Sequence, residues 1–214
     1  MNSDIISYYK DRAQEYEKVY NKPERLEDLL VVEQILKDTF TNKCVFEIAC
    51  GTGYWTQKIS ETAKSILATD INDAVIEIAK SKNYFKANVD FQTRDIFNLT
   101  KMDKHESLFG GFIWSHLKLS DLNNFLNTIN NIVQTSGTIV FIDNNYVEGS
   151  NLAITSRDNF GNTYQTRALE NGATYKVLKN FPTEMFIRQL LSGRATNIDF
   201  INLKYYWILK YNNI

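Results

Sequence analysis

Two carboxylates and two glycines in the amino-terminal half have the spacing of a ligand-binding site. Glu47 lies in an apolar run that continues into a turn containing Gly51 and Gly53. Glycines in such a turn let the backbone come close to a ligand. Seventeen residues beyond Gly53, a second apolar run ends at Asp70, where a doubly wound sheet places the acid that binds a ribose. The pattern predicts a nucleoside-binding site at the carboxyl edge of a parallel sheet.

The composition restricts the classes of function. The 214 residues are enough for one α/β domain with a well-buried core. The 24 Lys and Arg nearly balance the 25 Asp and Glu, so the basic stripe of a nucleic-acid binder is not indicated. The apolar runs have the length of strands, and the first four residues lack the layout of a secretory signal. We therefore expect a soluble, cytoplasmic protein with no nucleic-acid or membrane partner.

Thiols and imidazoles are few. Cys44 and Cys50 are the only two cysteines, and their spacing matches neither a zinc pattern nor a redox pair. We expect both to be reduced and to act as small core residues. With only His105 and His116 present, a histidine-rich metal centre is not expected.

Alternating strands and helices must position the acids and the glycine turn. Helices are predicted to begin near Trp55, after Asn72 as N-cap and after Ser120 as N-cap, and Gly137 is expected to end the turn that follows the last of them. Strands are predicted at residues 44–49, 65–70, 89–93, 111–115 and 138–143. Such alternation forms a parallel sheet covered on both faces.

Two helices are expected before the first strand. The first spans about twenty residues, and one of its faces mixes aromatic and cationic groups because Tyr9, Arg12, Ala13 and Tyr16 stand at i, i+3, i+4 and i+7. Pro23 opens the second helix, whose predicted core residues are Leu26, Leu29, Leu30 and Leu36.

A hairpin is predicted after the fifth strand. Residues 144–180 are too many for an ordinary connection, and Asn171-Gly172 is a turn signal between strands at 163–169 and 173–178.

The chain then closes with a helix and two strands. Pro182, Thr183 and Glu184 start the helix, and Gly193 stops it. The final strands, at 198–203 and 205–211, are so close in sequence that they must pair antiparallel.

The order of these elements resembles the class I S-adenosylmethionine-dependent methyltransferases, in which five parallel strands precede an antiparallel hairpin. In that family the first motif is an acid followed by a glycine-rich turn, and Glu47 with Cys50-Gly51-Thr52-Gly53 is similar to it. Ala49 stands where many members have the first glycine. The resemblance implies an α/β fold with a doubly wound, seven-stranded, mostly parallel sheet, helices on both faces and a single domain over residues 1–214.

The resemblance also implies which residues bind S-adenosylmethionine. Gly51 and Gly53 would let the backbone contact the methionine part, and Glu47 would hold its ammonium group. Asp70 would bind both ribose hydroxyls, and Asp95 the adenine amino group. Ile71 and Ile96 would lie against the adenine ring, and the other cofactor residues implied are Tyr9, Arg12, Ala49, Trp55 and Trp114.

The amino-terminal segment, residues 1–40, resembles the helices that cover the cofactor in small-molecule members. There Arg12 suits the cofactor's carboxylate, and Tyr9 can donate a hydrogen bond. An ordinary helix face packed on the sheet is the alternative interpretation.

His116 and a lid are the candidate acceptor groups. If the acceptor is a hydroxyl or a protonated amine, a base is required, and the position of His116 after strand four is typical of acceptor-facing groups in this family. The same histidine could equally cap a loop. Residues 144–181 are expected to form a lid over the acceptor. Candidate contacts are Tyr16, Tyr146, Arg157, Tyr164, Arg167 and Tyr175.

The type of acceptor is partly restricted. Arginines in a lid favour a carboxylate or phosphate on the acceptor, although solvated surface arginines are the alternative. Asp143-Asn144-Asn145 is similar to the magnesium-binding pair of catechol-type O-methyltransferases, but no acid lies between Glu106 and Asp121, where those enzymes have a further aspartate. We therefore expect no metal. The proline loop of amino-methyltransferases acting on adenine or glutamine is missing, which argues against a nucleic-acid base. The sequence favours an O or N atom of a small molecule.

Two other functions stay open. A nicotinamide-dependent reductase shares the sheet and the acid after strand two, but its third glycine would stand where this chain has Thr56. A protein that binds S-adenosylmethionine without catalysis is the second.

Overall fold

Ten strands form two sheets in this computed structural model, which describes residues 8–9, 11–85, 87–99 and 103–214, except the side chains of Gln14 and Tyr16. The strands are β1 (Cys44–Ile48), β2 (Ser65–Asp70), β3 (Asn88–Thr93), β4 (His105–Gly111), β5 (Val133–Asn144), β6 (Ser156–Arg157), β7 (Thr163–Ala168), β8 (Thr174–Leu178), β9 (Ala195–Asn202) and β10 (Tyr206–Asn213). The main sheet has the order β3-β2-β1-β4-β5-β10-β9. β10 pairs antiparallel with both of its neighbours, and the other pairings in this sheet are parallel. The predicted seven-stranded fold class is confirmed.

Five α-helices have both of their ends within the described residues: α1 (Leu26–Phe40), which precedes β1, α2 (Tyr54–Ile59), α3 (Asp73–Lys80), α4 (Leu122–Ile132) and α5 (Glu184–Leu191). Short 3-10 helices span Ala13–Asn21, Pro23–Arg25, Trp114–His116 and Leu119–Asp121. None of the helices in the described ranges is long and apolar enough to cross a membrane.

Side chains of β1 show how the two hydrophobic cores lie on opposite faces of the main sheet. Successive residues of a strand point to opposite faces. Accordingly Val45 belongs to the core that contains α1, whereas Phe46 and Ile48 belong to the core that contains α4. Both faces are therefore covered, and ligands must approach the sheet from its edges.

Several predicted elements are confirmed. β2 has the predicted bounds, and the side chain of Asn72 caps α3 by accepting a hydrogen bond from the backbone N–H of Ala74. β7 and β8 pair around the predicted Asn171-Gly172 turn, where Gly172 has a φ of 84°. Thr183 caps α5, and both cysteines are free. β6 extends the hairpin to three strands, which the sequence did not predict.

The predicted fourth strand at residues 111–115 is wrong. β4 ends at Gly111, and the chain then turns at Phe112, with a φ of 57°, into the 3-10 helix Trp114–His116. The apolar residues there are buried although they form no strand, with Ile113 and Trp114 4% and 2% exposed. Their hydrophobicity indicated burial and not a strand.

Three further local predictions differ from the structure. Leu26 and Leu30 are 48% and 67% exposed, because the buried stripe of α1 is Leu29, Val32, Leu36 and Phe40. Ser120 lies in a 3-10 helix and does not cap α4. Gly137 lies inside β5 and does not end a turn after α4.

The amino-terminal helix is only partly within the described residues. Tyr8 and Tyr9 are helical, and Ala13–Asn21 is a 3-10 helix and not the predicted α-helix. The contacts predicted for Tyr16 lie outside the described side chains.

Candidate active site

The turn after β1 has three residues in the left-handed region. The φ angles are 52° at Ala49, 55° at Gly51 and 77° at Gly53. A side chain at Gly53 would not fit, because its Cβ would lie 2.6 Å from the hydroxyl of Tyr84 and 3.0 Å from the Cβ of Ala79. The turn therefore packs against α3 and exposes its backbone at the carboxyl edge of the sheet.

The carboxylate of Asp70 joins this turn to the start of α3. Its Oδ2 accepts a hydrogen bond of 2.9 Å from the N–H of Gly51, and its Oδ1 accepts one of 2.9 Å from the N–H of Asn72. Burial raises the pKa of Asp70, and these N–H groups oppose that shift. A carboxylate oxygen can accept more than one hydrogen bond, so Asp70, which lines the pocket described below, is also able to accept from a diol.

Glu47 is a buried acid with an unsatisfied oxygen. Its residue is 1% exposed, and its Oε2 has no hydrogen-bond partner among the described residues. Burial raises its pKa to about 8, and the charge of Asp70 adds to the shift, while Thr56 opposes it. A cationic group beside Glu47 would satisfy that oxygen and restore the charge.

A pocket of about 700 Å³ lies beside the turn and the Asp70 carboxylate. Ile71, Val75 and Ile96 supply apolar wall, which suits a flat ring, and Asp95 lies at the same wall with its Oδ1 accepting from the N–H of Phe97 at 3.0 Å. The pocket is lined by Tyr9, Ala49, Gly51, Asp70, Ile71, Asn72, Val75, Asp95, Ile96, Gly111, Phe112, Ile113 and His116. We call it the donor pocket.

Five residues predicted at the cofactor do not line the donor pocket. Trp114 packs in the core, with ring centroids 5.3 Å from Phe141 and 6.0 Å from Trp207, because it follows β4 by three residues in a helix that folds back. Trp55 is 4% exposed and packs against Tyr20. The other three are Glu47, which is buried, Gly53, which packs on α3, and Arg12, which lines a second pocket.

The second pocket adjoins the first and is strongly basic. It shares Tyr9, Phe112 and His116 with the donor pocket and has an empty volume of about 1170 Å³. Among the described residues, Glu15 is the one acid that lines it. Its cationic lining residues are Arg12, Lys18, Lys22, Arg25, Arg167 and Lys179. We call it the acceptor pocket.

His116 lies where the two pockets meet and is 5% exposed. Its Nδ1 is 2.6 Å from the carbonyl oxygen of Leu178, and its Nε2 is 2.7 Å from the hydroxyl of Tyr9. A carbonyl can only accept, so we assign the proton to Nδ1, which leaves Nε2 to accept from Tyr9. Burial lowers the pKa of His116 well below its ordinary value, and Lys179, Arg167 and Arg12 lower it further. The imidazole is therefore neutral at neutral pH.

Lys179 is a buried member of the site that the sequence did not indicate. Its Nζ donates to Asp143 Oδ1 at 2.9 Å, to Ser115 Oγ at 2.7 Å and to Asn144 Oδ1 at 2.8 Å. Ser115 donates its N–H to Asp143 Oδ2 as well. The Asp-Asn pair at the end of β5 therefore binds a lysine. No cluster of three metal-ligating His, Cys, Asp or Glu side chains occurs within the described part of the chain.

The predicted lid residues lie in different places. Arg167 lines the acceptor pocket. Neither Tyr146 nor Tyr164 lines either pocket, since Tyr146 packs against Phe181 and the hydroxyl of Tyr164 donates to Asp158 at 3.0 Å. Tyr175 donates to Asp11, and Arg157 donates to the carbonyl of Gly161.

Comparison with known proteins agrees with this geometry. The model of a family described as a methyltransferase domain matches residues 45–137. This range contains Glu47, the glycine turn, Asp70, Asp95 and His116. No curated protein matches the chain.

Solved structures share the fold at low sequence identity. A structure of DhpI with SAH has a TM-score of 0.80 at 21% identity, covering 97% of this chain and 94% of that one. A DhpI complex with SAM and HEP has a TM-score of 0.79 at 21% identity, covering 98% and 99%. The N-methyltransferase NodS from Bradyrhizobium japonicum WM9, in complex with S-adenosyl-l-homocysteine, has a TM-score of 0.66 at 11% identity, covering 99% of both chains.

Proposed function

We propose that this chain is a class I S-adenosylmethionine-dependent methyltransferase and that it methylates an oxygen or nitrogen atom of a small molecule. The observation that carries the proposal is the acceptor pocket, which adjoins the donor pocket and shares Tyr9, Phe112 and His116 with it. A donor and an acceptor in these two pockets would meet at those three side chains.

The residues of the donor pocket fit the cofactor. Asp70 lines the pocket and would accept the two ribose hydroxyls, and Glu47, which is buried next to the glycine turn, has an unsatisfied oxygen for an ammonium group. Asp95 would hold the adenine amino group beside Ile71 and Ile96. The bound cofactor supplies a methyl group made electrophilic by a sulfonium.

The chain's own contribution to transfer is alignment and proton removal. In-line displacement needs the two reacting atoms in contact and water excluded. The junction of the two pockets would bring donor and acceptor together beside the buried side chain of His116. We propose that His116 is the base for a hydroxyl or amine acceptor. Its neutral Nε2 faces the hydroxyl of Tyr9, so the proton would reach His116 directly after Tyr9 moves aside, or through the Tyr9 oxygen.

The descriptions of two structural neighbours bear on the acceptor. NodS is described as an N-methyltransferase, and one DhpI structure as a complex with SAM and HEP, so that protein holds a second molecule together with the donor. At 11% and 21% identity these neighbours share the fold, and the acceptor of this chain is inferred from its own pocket.

Methyl transfer from labelled S-adenosylmethionine to a panel of small hydroxy acids, amines and phosphate esters tests the proposal. We expect S-adenosylhomocysteine to accumulate with at least one acceptor. A crystal of the S-adenosylhomocysteine complex provides the second measurement. A sulfur atom that points away from the acceptor pocket, combined with binding but no transfer, would instead favour a non-catalytic S-adenosylmethionine-binding protein.

A further inference from the structure

Three cations of the acceptor pocket have no carboxylate partner in the described structure. Lys22, Arg25 and Arg167 form none of the ion pairs found within 4.0 Å among the described residues. Two other cations of the same lining are paired, since Lys179 binds Asp143 and Lys18 binds Glu170. Lys22, Arg25 and Arg167 therefore differ from Lys179 and Lys18 in that no carboxylate pairs with them.

Arg25 is the most buried of the three, at 6% exposed. Its Nε donates to Ser150 Oγ at 2.9 Å and one terminal nitrogen donates to the Ser150 carbonyl at 3.0 Å. The nearest acid in sequence, Glu24, accepts from Ser150 and not from Arg25. A buried guanidinium held only by neutral groups is costly unless an anion joins it.

Lys22 and Arg167 also donate hydrogen bonds to neutral groups, and the charge of exposed Glu24 acts on Lys22 without forming an ion pair. The Nζ of Lys22 donates to the Ser150 carbonyl at 2.5 Å. The guanidinium of Arg167 donates to Gln165 Oε1 at 2.9 Å and lies 5.6 Å from the ring centroid of Tyr8. Ser150 and Gln165 thus orient the cations without neutralising them.

We propose that the acceptor is an anion whose carboxylate or phosphate-type group binds Lys22, Arg25 and Arg167 in the acceptor pocket. This inference rests on the proposed function and names the substrate class for the same site. Two guanidinium groups present planar sets of N–H donors, and an oxyanion is the group that accepts from such donors in pairs. A neutral acceptor would leave three cations without an ion-pair partner in a partly desolvated pocket.

The same anion would also change the pKa of His116. Arg167, Lys179 and Arg12 lower the pKa of this histidine, and the hydroxyl of Tyr9 is its hydrogen-bond partner. An anion beside Arg167 offsets part of that positive field, so the imidazole becomes a stronger base when the acceptor is bound.

Calorimetric titration of small anions into the protein saturated with S-adenosylhomocysteine tests the inference. Saturation fills the site of the cofactor's own carboxylate, so any anion bound afterwards occupies a separate place. The probes are inorganic phosphate and methylphosphonate in one arm, and acetate and malonate in the other. Trimethyl phosphate and methyl acetate are their neutral counterparts. We expect at least one arm to bind and both neutral esters to fail, and the arm that binds tells phosphate-type from carboxylate acceptors.

Charge-removing variants locate the anion. Arg167→Gln and Arg25→Gln should each weaken anion binding about tenfold or more, whereas Arg167→Lys and Arg25→Lys should retain most of it. Arg188→Gln is the matched control, because Arg188 is an exposed arginine paired with Glu184 on α5 and lines neither pocket. Its anion affinity should stay within about twofold.

The outcomes separate this inference from the proposed function. If S-adenosylhomocysteine itself does not bind, the proposed function fails. If it binds but no anion does, or if neutral esters bind equally well, the inference is overturned and the proposed function stands. An equal loss of affinity in Arg188→Gln and Arg167→Gln would also overturn it, because a general charge effect would then explain the binding.

Discussion

The donor pocket and the acceptor pocket are built in opposite ways. The acids of the donor pocket are Asp70, at the end of β2, and Asp95, two residues after the end of β3. The cations of the acceptor pocket come from the amino-terminal segment, from β7 and from the residue after β8. One pocket is acidic and local in sequence, and the other is basic and assembled from distant segments. A local motif therefore specifies the donor site, whereas tertiary packing specifies the acceptor.

Removing the carboxylate of Asp70 should have the largest effect on cofactor affinity. Asp70→Ala is expected to weaken S-adenosylmethionine binding by about 100-fold or more, because two hydrogen bonds to a charged group are lost. Calorimetry measures the affinity, and thermal unfolding checks that the variant stays folded. Asp90→Ala is the control, since Asp90 is exposed on β3 and lines neither pocket. Unchanged affinity in Asp70→Ala would remove the ribose assignment.

The junction of the pockets is tested next. His116→Ala should lower kcat by about 100-fold for a hydroxyl or amine acceptor, while the Kd of S-adenosylmethionine changes by no more than about twofold. His105→Gln is the control, because His105 begins β4 and stacks on Phe46 away from both pockets. Near-normal turnover in His116→Ala would show that the acceptor needs no base from this position.

The pH profile gives the same assignment a second measurement. The lowered pKa of His116 keeps the imidazole neutral as the pH falls, so the acid limb of kcat/KM should lie below the ordinary histidine value of about 6.5. An acid limb at or above that value would contradict a base held by these cations.

Glu47→Gln should produce a smaller, more specific effect. With a pKa of about 8, Glu47 carries a proton at pH 7, and a cofactor ammonium beside it would displace that proton. We expect wild-type binding to release about one proton and the variant none, with affinity about tenfold weaker in the variant. Calorimetry in buffers of different ionisation enthalpy measures the proton. Glu106→Gln, at the opposite edge of the sheet, should behave as wild type. Equal proton release in Glu47→Gln and wild type would separate Glu47 from the ammonium.

The raised pKa of Glu47 also fixes the direction in which its contribution to the free energy of unfolding changes with pH. The raised pKa of Glu47 means that the folded protein holds this proton more tightly than the unfolded chain does. The free energy of unfolding contributed by Glu47 is therefore fully present below about pH 4.5 and is lost as the pH rises toward 8. Denaturant titration of Glu47→Gln should show a flatter pH dependence over this interval than wild type.

The smallest effect concerns the backbone of the turn. Ala49 is held at a φ of 52°, a conformation that costs an alanine about 1 kcal/mol or more and a glycine little. Part of that gain is offset by the greater freedom of glycine in the unfolded chain, so Ala49→Gly should raise the free energy of unfolding by about 0.5 kcal/mol. Ala68→Gly, in the buried middle of β2, should lower it. A destabilised Ala49→Gly would contradict a strained turn.

The fold was predictable where local rules and burial agree. β2 is apolar and ends at Asp70, the Asn72 cap is a local hydrogen bond, and Asn171-Gly172 forms the turn its residue types favour. The fourth strand was predicted at the wrong residues. β4 begins with polar residues, which did not indicate a strand. Ile113 and Trp114 are buried at the start of a 3-10 helix and not in a strand.

The sites divide in the same way. Seven of the residues predicted at the cofactor line the donor pocket, and most follow directly from strand ends. Arg25 and Lys179 carry no local signal, since a lysine or arginine in sequence is ordinarily solvated surface. Only packing reveals that Lys179 is 3% exposed against Asp143 and that Arg25 lies on the rings of Tyr205 and Tyr206.

The wall formed by Tyr9, Phe112 and His116 belongs to both compartments. A molecule on either side touches the same three groups, so neither molecule can bind without changing the surroundings of the other. Thermodynamic reciprocity then requires that the factor by which one ligand changes the dissociation constant of its neighbour equals the factor in the reverse direction. Binding of the methyl donor and release of the product are consequently coupled through the three residues that the two pockets share.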